Sequence, residues 1–584
     1  MSTVFQFIKP YTGMLLCAAA LLIVEAYLAL LLPSYMADIM NYGVLPGDIS
    51  FIWRTGLMML LITLLSVLAS LFMGYFAART AAGVANDLRR AMFKKVLHFS
   101  NAEMDRFATS SLITRTTNDI TQIESVMMMA IRQFVYAPAI AIGGIIRALD
   151  RSVSMTWIIA LASICITVVM MALFSVAMPK FKIVQSLIDR LNLVSRENLS
   201  GILVIRAFST QNFEKKRFNK ANKNLADTNL VVDQAFAFMM PSILLIMNIT
   251  TVATVWVGAH QTSAFRIDIG DIFAFLQYGM LIIFAFIMLS ITFIMLPRAV
   301  VSAERIKEVL ESEGTIKYKE NPLQFSKDFK GTIEFRDVSF RYPSSTDKND
   351  NSNDNVVDNI SFTARAGETT AIIGSTGSGK TTLLHLLLRF YDVNNGGVYV
   401  DGLNIRDLSK KELHNKIGYI PQKALLFSGS IRSNLSYADK SATDDRIQDT
   451  ADTAQAQSFI ESKPERYDSN VAQGGSNLSG GQRQRISIAR ALLKGAPIYL
   501  FDDSFSALDL KTDALLRAAL KRKAGKSTML VIAQRIATIM DADQIVVLEH
   551  GKIVGCGTHA ELIKSCEVYR EIAASQLSEE EMNR

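Results

Sequence analysis

Cysteine is scarce in this chain of 584 residues: Cys17, Cys165, Cys556 and Cys566 are scattered, with no C-x-x-C pair and no histidine cluster. That argues against a disulfide framework and against a zinc site, and leaves reduced, structural thiols. A cleavable signal is missing too. The first apolar run is long enough to cross a bilayer and shows no small-residue cleavage site, so the N-terminus is expected to stay cytoplasmic. The formal charge of +7 comes with no basic recognition motif, so nucleic acid is not an expected partner. Lysine and arginine gather instead between apolar runs, where positive-inside bias explains them.

Charge is what the first half of the chain lacks most. Apolar stretches near Met14 to Leu32, Leu57 to Phe76, Ala130 to Leu149, Ser154 to Met178, Phe236 to Val257 and Ile272 to Leu296 each approach the roughly 20 residues needed to cross a membrane. They predict about six transmembrane helices and a lipid bilayer as surroundings. The link carrying Arg79, Arg89, Arg90, Lys94, Lys95 and Arg115 is long and basic, as is the link carrying Lys180, Lys182, Arg190, Arg206, Lys215 and Lys216. Both are expected on the cytoplasmic side. The short links around Tyr42 to Asp48, Asp150 to Ser152 and Ala259 to Asp271 are then outside, and both termini inside. No proline stands between Arg79 and Ser100, so helix is expected to continue there as a stalk reaching roughly 30 Å beyond the bilayer. Glu25, Asn248 and Gln277, with Met127 to Met129, Met239, Met240 and Met247, are candidates for a substrate path. Packing and helix-bridging hydrogen bonds are the alternative role for all but Glu25, whose charge at that depth needs water or a partner.

Composition changes near Ser312. The chain exceeds one hydrophobic core, and its expected division is a transmembrane domain over 1–312, a linker over 313–330 and an α/β nucleotide-binding domain over 331–584. The strand-like run Thr370 to Ile373 leads into Gly374, Ser375, Thr376, Gly377, Ser378, Gly379, Lys380, Thr381 and Thr382, with a helical run after it. This is G-x-x-x-x-G-K-[ST] in its proper context. Small residues let backbone N–H groups approach phosphates, Lys380 neutralises their charge, and Thr381 can reach Mg²⁺. A nucleoside triphosphate and Mg²⁺ are therefore the expected cofactors. Farther on, the apolar run Ala496 to Phe501 ends in Asp502, a second carboxylate for the metal. These two motifs alone allow a GTPase, a kinase-like enzyme or any P-loop ATPase.

The stretch Asn477-Leu-Ser-Gly-Gly-Gln-Arg-Gln-Arg485 narrows the choice, because it resembles the signature of the ABC transporter ATPases. The resemblance covers nearly the whole chain and is to half-transporters of the exporter type. It implies that the nucleotide is ATP, that Tyr342 stacks on adenine, that Gln422 in Tyr419-Ile-Pro-Gln is the Q-loop residue reaching the metal, and that Ser506-Ala-Leu-Asp509 is the D-loop. It also implies that two nucleotide domains meet head to tail, so that Ser479, Gly481 and Gln482 of one contact ATP held by the other. Segments near Thr109 to Arg115 and Ala207 to Asn212 occupy the positions of coupling helices, with Ser110 where the family often has glycine.

Two family residues are missing. Glutamate, the general base after the Walker B aspartate, is replaced by Asp503, and the switch histidine by Gln534. A shorter carboxylate arm and a side chain that exchanges no proton near neutral pH both weaken hydrolysis. This resembles the degenerate-site subunit of heterodimeric exporters, paired with a half-transporter that carries a normal Walker B Glu and switch His and an altered signature. The expected function is ATP-driven export of small amphipathic, drug-like molecules through a bacterial cell membrane. Lipid or peptide export, a siderophore-type importer on the same fold, a homodimeric exporter and a regulatory subunit that does not pump are the alternatives. The run Ser344 to Asn355, rich in Ser, Asp and Asn, is expected to be a surface insertion.

Overall fold

A computed structural model describes residues 6–264, 266–343, 355–523 and 525–582. The expected insertion, Asn355 apart, lies outside them. The chain divides into two compact units: Met1–Leu97 with Ser110–Ser312, and His98–Thr109 with Glu313–Arg584.

The first unit is helical. Helix α1 (Thr12–Asp38) is followed by α2 (Ile49–Leu97), while the short α3 (Asn101–Phe107) clusters with the second unit. Then come α4 (Ile120–Arg151), α5 (Val153–Ser200), the short α6 (Ile202–Ala207), α7 (Gln211–Ser263) and α8 (Ile269–Glu311). Among the described residues six helices are long and apolar enough to span a bilayer, and the six apolar stretches read from the sequence fall one in each. Lipid-immersed backbone satisfies its own hydrogen bonds as helix, which is why runs this apolar do not form open strands. Five of the long helices hold one internal proline: Pro33, Pro138, Pro179, Pro241 and Pro297. The 49-residue α2 holds none.

Helix α4 packs against α1 and α8 through Gly143 and Gly144, where an added Cβ would come within 2.5 Å of Leu30 and 2.8 Å of Ile282. Nearby, the Ser34 hydroxyl and the Tyr278 hydroxyl are 2.7 Å apart, bridging α1 and α8. The stalk expected to run to Ser100 stops at Leu97, because Ser100 caps a new helix: its hydroxyl accepts from the Ala102 amide at 3.2 Å, and Glu103 Oε2 accepts from the Ser100 amide at 2.7 Å. This reciprocal cap fixes α3 just upstream of the segment expected to form the first coupling helix, as α6 lies just upstream of most of the second.

In the second unit, strands β1 (Ile333–Phe340), β2 (Val357–Ala364), β4 (Asn395–Val400) and β5 (Leu403–Asn404) form an antiparallel sheet in the order β2-β1-β4-β5. A six-stranded sheet runs β12-β11-β3-β10-β9-β6, with β3 (Thr369–Gly374), β6 (Ile417–Ile420), β9 (Ile498–Asp502), β10 (Thr528–Ile532), β11 (Gln544–Glu549) and β12 (Lys552–Gly557). The two-residue strands β7 (Gly429–Ser430) and β8 (Asn470–Val471) pair separately. All neighbours in the six-stranded sheet are parallel except β12. Side chains alternate between faces: Ile372, Leu500, Leu530 and Val546 enter one core, and Ala371, Ile373, Phe501, Val531 and Val547 the other. A parallel sheet covered on both faces explains why these strands read as unbroken apolar runs.

Candidate functional site

The loop after β3, at the centre of that sheet, opens helix α9 (Lys380–Leu387). Two of its glycines are demanded by space and backbone. Gly374 has φ 158° and a Cβ there would sit 2.0 Å from the Leu548 carbonyl oxygen; Gly379, φ 91°, would place one 2.5 Å from Val357. The Lys380 ammonium folds back over the loop, donating to the Gly374 carbonyl at 2.9 Å and the Ser375 carbonyl at 2.7 Å, with Ser378 Oγ at 3.4 Å. Burial pushes its pKa down, against the pull of the Asp503 and Asp502 carboxylates. Ser375, Thr376, Gly377 and Ser378 lie between these anchors, as the phosphate-loop reading expects.

Strand β9 is buried along its length and delivers Asp502 beside α9. The Thr381 hydroxyl donates to Asp502 Oδ1 at 2.8 Å, and the Tyr419 hydroxyl lies 3.4 Å from Oδ2. Burial raises the Asp502 pKa, offset by the Thr381 hydrogen bond. A hydroxyl and a carboxylate, two hard oxygens at a helix N-terminus, fit Mg²⁺, which takes few protein ligands and fills its shell with water and phosphate oxygens. Tyr419 has no role in the motif reading; it stands one strand over, on β6, in register with Leu500 of β9.

Asp503 follows with φ 46°, a left-handed backbone that Asp tolerates better than most residues. Its amide donates to the Ile532 carbonyl at 3.0 Å, fixing it against β10. Its Oδ2 accepts from Gln534 Nε2 at 2.8 Å and from Gln422 Nε2 at 3.3 Å. The three residues expected to handle the attacking water and the metal edge are thus together, with the Gln422 amide turned to Asp503. Burial raises the Asp503 pKa, while the Gln422 amide, Ser506 and the charge of Lys380 oppose the rise.

Tyr342 lies beside the loop: its hydroxyl is 3.0 Å from Thr382 Oγ1, and its ring meets Phe340 and Tyr391 edge-on at 5.0 and 5.1 Å. The signature residues are elsewhere. Ser479 caps α10 (Gly480–Leu493), its Oγ accepting from the Gln482 amide at 3.2 Å while Gln482 Oε1 accepts from the Ser479 amide at 3.1 Å. Gly481 is held close to the D-loop, where a Cβ would meet the Ala507 carbonyl at 3.3 Å. Among the described residues, no hydrogen bond joins Ser479, Gly481 or Gln482 to the phosphate loop.

In the first unit, Gln277 and Met247 line a cavity of about 280 Å³ between α7 and α8, with Thr250, Thr251 and Thr254. Glu25 is buried, and its Oε1 accepts from Arg132 Nη2 at 3.3 Å. Arg132 and Arg147 passed unremarked inside a stretch read as apolar, where a charge in a long Leu, Ile and Ala run was the available signal.

The pattern of the ABC transporter transmembrane region matches residues 15–309, and that of the ABC transporter matches 357–506. An uncharacterised ABC transporter ATP-binding protein of Mycobacterium tuberculosis is 39% identical over 98% of this chain and 97% of its own. The ATP-dependent lipid A-core flippase of Pseudomonas aeruginosa is 31% identical over 98% of this chain and 96% of its own. The solved structure of a bacterial Atm1-family ABC exporter with ATP bound superposes with a TM-score of 0.78, covering 99% of each chain at 22% identity, a likeness of fold. Six membrane-capable helices, one phosphate loop with its paired aspartate, one signature helix and relatives matched end to end make the chain a member of the ABC transporter family, an exporter-type half-transporter.

Proposed function

We propose that the chain is the degenerate-site subunit of a heterodimeric exporter in a bacterial cell membrane, with both termini and the nucleotide-binding domain cytoplasmic. The observation that carries this reading is the state of Asp503. Its Oδ2 accepts amide hydrogens from Gln534 and Gln422, and its arm is one carbon shorter than that of the glutamate whose place it takes. A shift of around 1 Å in a catalytic group can cost on the order of a hundredfold in rate. Gln534 holds the carboxylate yet cannot trade a proton with it near neutral pH.

ATP is then held by Lys380, Thr381 and the loop amides, with Tyr342 turning from Thr382 to stack on adenine. Thr381, Asp502 and Gln422 would hold Mg²⁺, which when bound would supply neutralisation of phosphate charge. Hydrolysis at this chain's own site is slow, whereas Ser479, Gly481 and Gln482 complete the site of a partner that has a normal Walker B Glu and switch His. Closure of the paired nucleotide domains drives alternating access, and turnover at the partner's site resets it. The cargo is a small amphipathic, drug-like molecule; the lipid A-core flippase among the relatives supports a lipid as the second reading.

The test is ATP turnover of the reconstituted chain, alone and with its genomic neighbour. Near-inactivity alone, activity of the pair and loss of activity when the neighbour's Walker B Glu is changed to Gln are the expected results. Brisk turnover by the chain alone, with nothing added by a neighbour, rejects the degenerate site.

A further inference from the structure

Three arginines, Arg132, Arg147 and Arg151, stand on α4 with Gln133 and Tyr136. At about 100° per residue all five fall within an arc of roughly 100°. Gly143 and Gly144 lie within or at the edge of the same arc, and their close approach to Leu30 and Ile282 turns it toward α1 and α8. The stripe therefore runs from an exposed edge of α4 at Arg132 toward the side that packs on α1 and α8, and a guanidinium in such a helix is tolerated beside water or a counter-charge and not against lipid tails.

The three arginines are not held alike. Arg151 is fully engaged, donating to Asp38 Oδ1 at 2.9 Å, the Ser34 carbonyl at 3.1 Å and Asp271 Oδ1 at 3.4 Å, and so braces one end of the bundle. Arg132 has one carboxylate, Glu25, and its guanidinium lies 6.0 Å from the Tyr136 ring centre. Glu25 is 6% exposed with Oε2 buried and without a hydrogen-bond partner, while the Arg132 side chain is 46% exposed. Half-buried Arg147 lies 5.2 Å over the Tyr27 ring and, among the described residues, forms no ion pair. Reachable positive charge is thus presented twice, about 22 Å apart along the helix at about 1.5 Å per residue. The carboxylate paired with Arg132, Glu25, is buried behind it, while the exposed Asp150 stands three residues beyond Arg147.

We infer that the transported amphiphile carries an anionic headgroup, a phosphate, sulfonate or carboxylate on an apolar body. The headgroup docks on Arg132 and then on Arg147, and Glu25 is a positioning residue that holds the Arg132 guanidinium in place between cargoes. Transport of such a molecule rests on the exporter reading; its recognition does not.

The test uses the full chain in nanodiscs, alone and with its partner, and fluorescent probes with identical tails bearing phosphate, phosphocholine or trimethylammonium heads. Single-tailed and double-tailed phosphate probes distinguish a soluble acidic amphiphile from a membrane lipid as the source. The phosphate probe is expected to bind at least about tenfold more tightly than the ammonium probe. Arg132→Gln and Arg147→Gln should each erase most of that preference, and Glu25→Gln should sharpen it by freeing Arg132. If Arg132 and Glu25 only brace the helices, Glu25→Gln lowers the melting temperature and leaves selectivity unmoved. Equal binding of all heads, binding of none, or selectivity that survives both arginine changes overturns the inference. ATP-driven export without charge preference overturns it alone, whereas charge-selective binding without any ATP-driven export leaves it standing and removes the exporter reading.

Discussion

At the phosphate end of the nucleotide pocket, Lys380 is buried and tied to two loop carbonyls, and Thr381 is locked to Asp502 at 2.8 Å. At the water end, Asp503 Oδ2 accepts from the amides of Gln534 and Gln422, neither of which titrates near neutral pH to relay a proton. On the proposed reading, the first end binds ATP and the second hydrolyses it slowly. Affinity and turnover are separable here because they are built by different strands: β3 and β9 deliver the phosphate and metal groups, while the segment after β10 delivers Gln534.

That separation can be broken most severely at Lys380. Lys380→Ala removes the charge-assisted contacts to phosphate and is expected to weaken ATP binding on the order of a hundredfold in a nucleotide titration. Unchanged affinity would mean that the phosphate end does not hold the nucleotide. The opposite manipulation, Asp503→Glu with Gln534→His, should raise hydrolysis at this chain's own site by about tenfold or more without tightening ATP. It is read with the partner's base disabled, so that only one site turns over. A rise in affinity with no rise in rate would reverse the roles assigned to the two ends.

Smaller effects sharpen the contrast. Burial lifts the Asp503 pKa above that of an ordinary aspartate, so its base form is lost as pH falls through that raised value and recovered as pH climbs past it. Residual hydrolysis by this site should therefore rise with pH across the acid range and then level off, whereas a flat profile would deny Asp503 any part in the residual chemistry. The smallest change is expected from Tyr419→Phe, which removes a long 3.4 Å contact to Asp502. Mg²⁺ dependence of ATP binding should shift about two- to threefold, in line with a single weak hydrogen bond.

Motif-bearing segments were legible because their chemistry is local. The glycines of the phosphate loop, the apolar run into Asp502 and the paired Asp503 and Gln534 could be read in order, and the fold brings them within hydrogen-bonding distance. Partners set by tertiary packing were not legible: nothing in the sequence ties Tyr342 to Thr382 or Tyr419 to Asp502. The early end of α2 was legible and overlooked, since Ser100-Asn-Ala-Glu103 is a capping-box sequence that starts a helix of its own. The arginine stripe of α4 was hidden differently, because a window average over Ala130 to Leu149 dilutes two charges among many apolar residues.

Helix α2 differs from its five long neighbours in one respect that matters mechanically. Each of them has a proline, a place where a helix bends by giving up a backbone hydrogen bond. The 49 residues of α2 form a bar about 73 Å long with no such joint. Pivoted near one end, it sweeps the other through roughly 6 Å for a tilt of only about 5°, more than a full helical pitch. Jointed neighbours can absorb a push by flexing, but an unjointed bar passes it on enlarged.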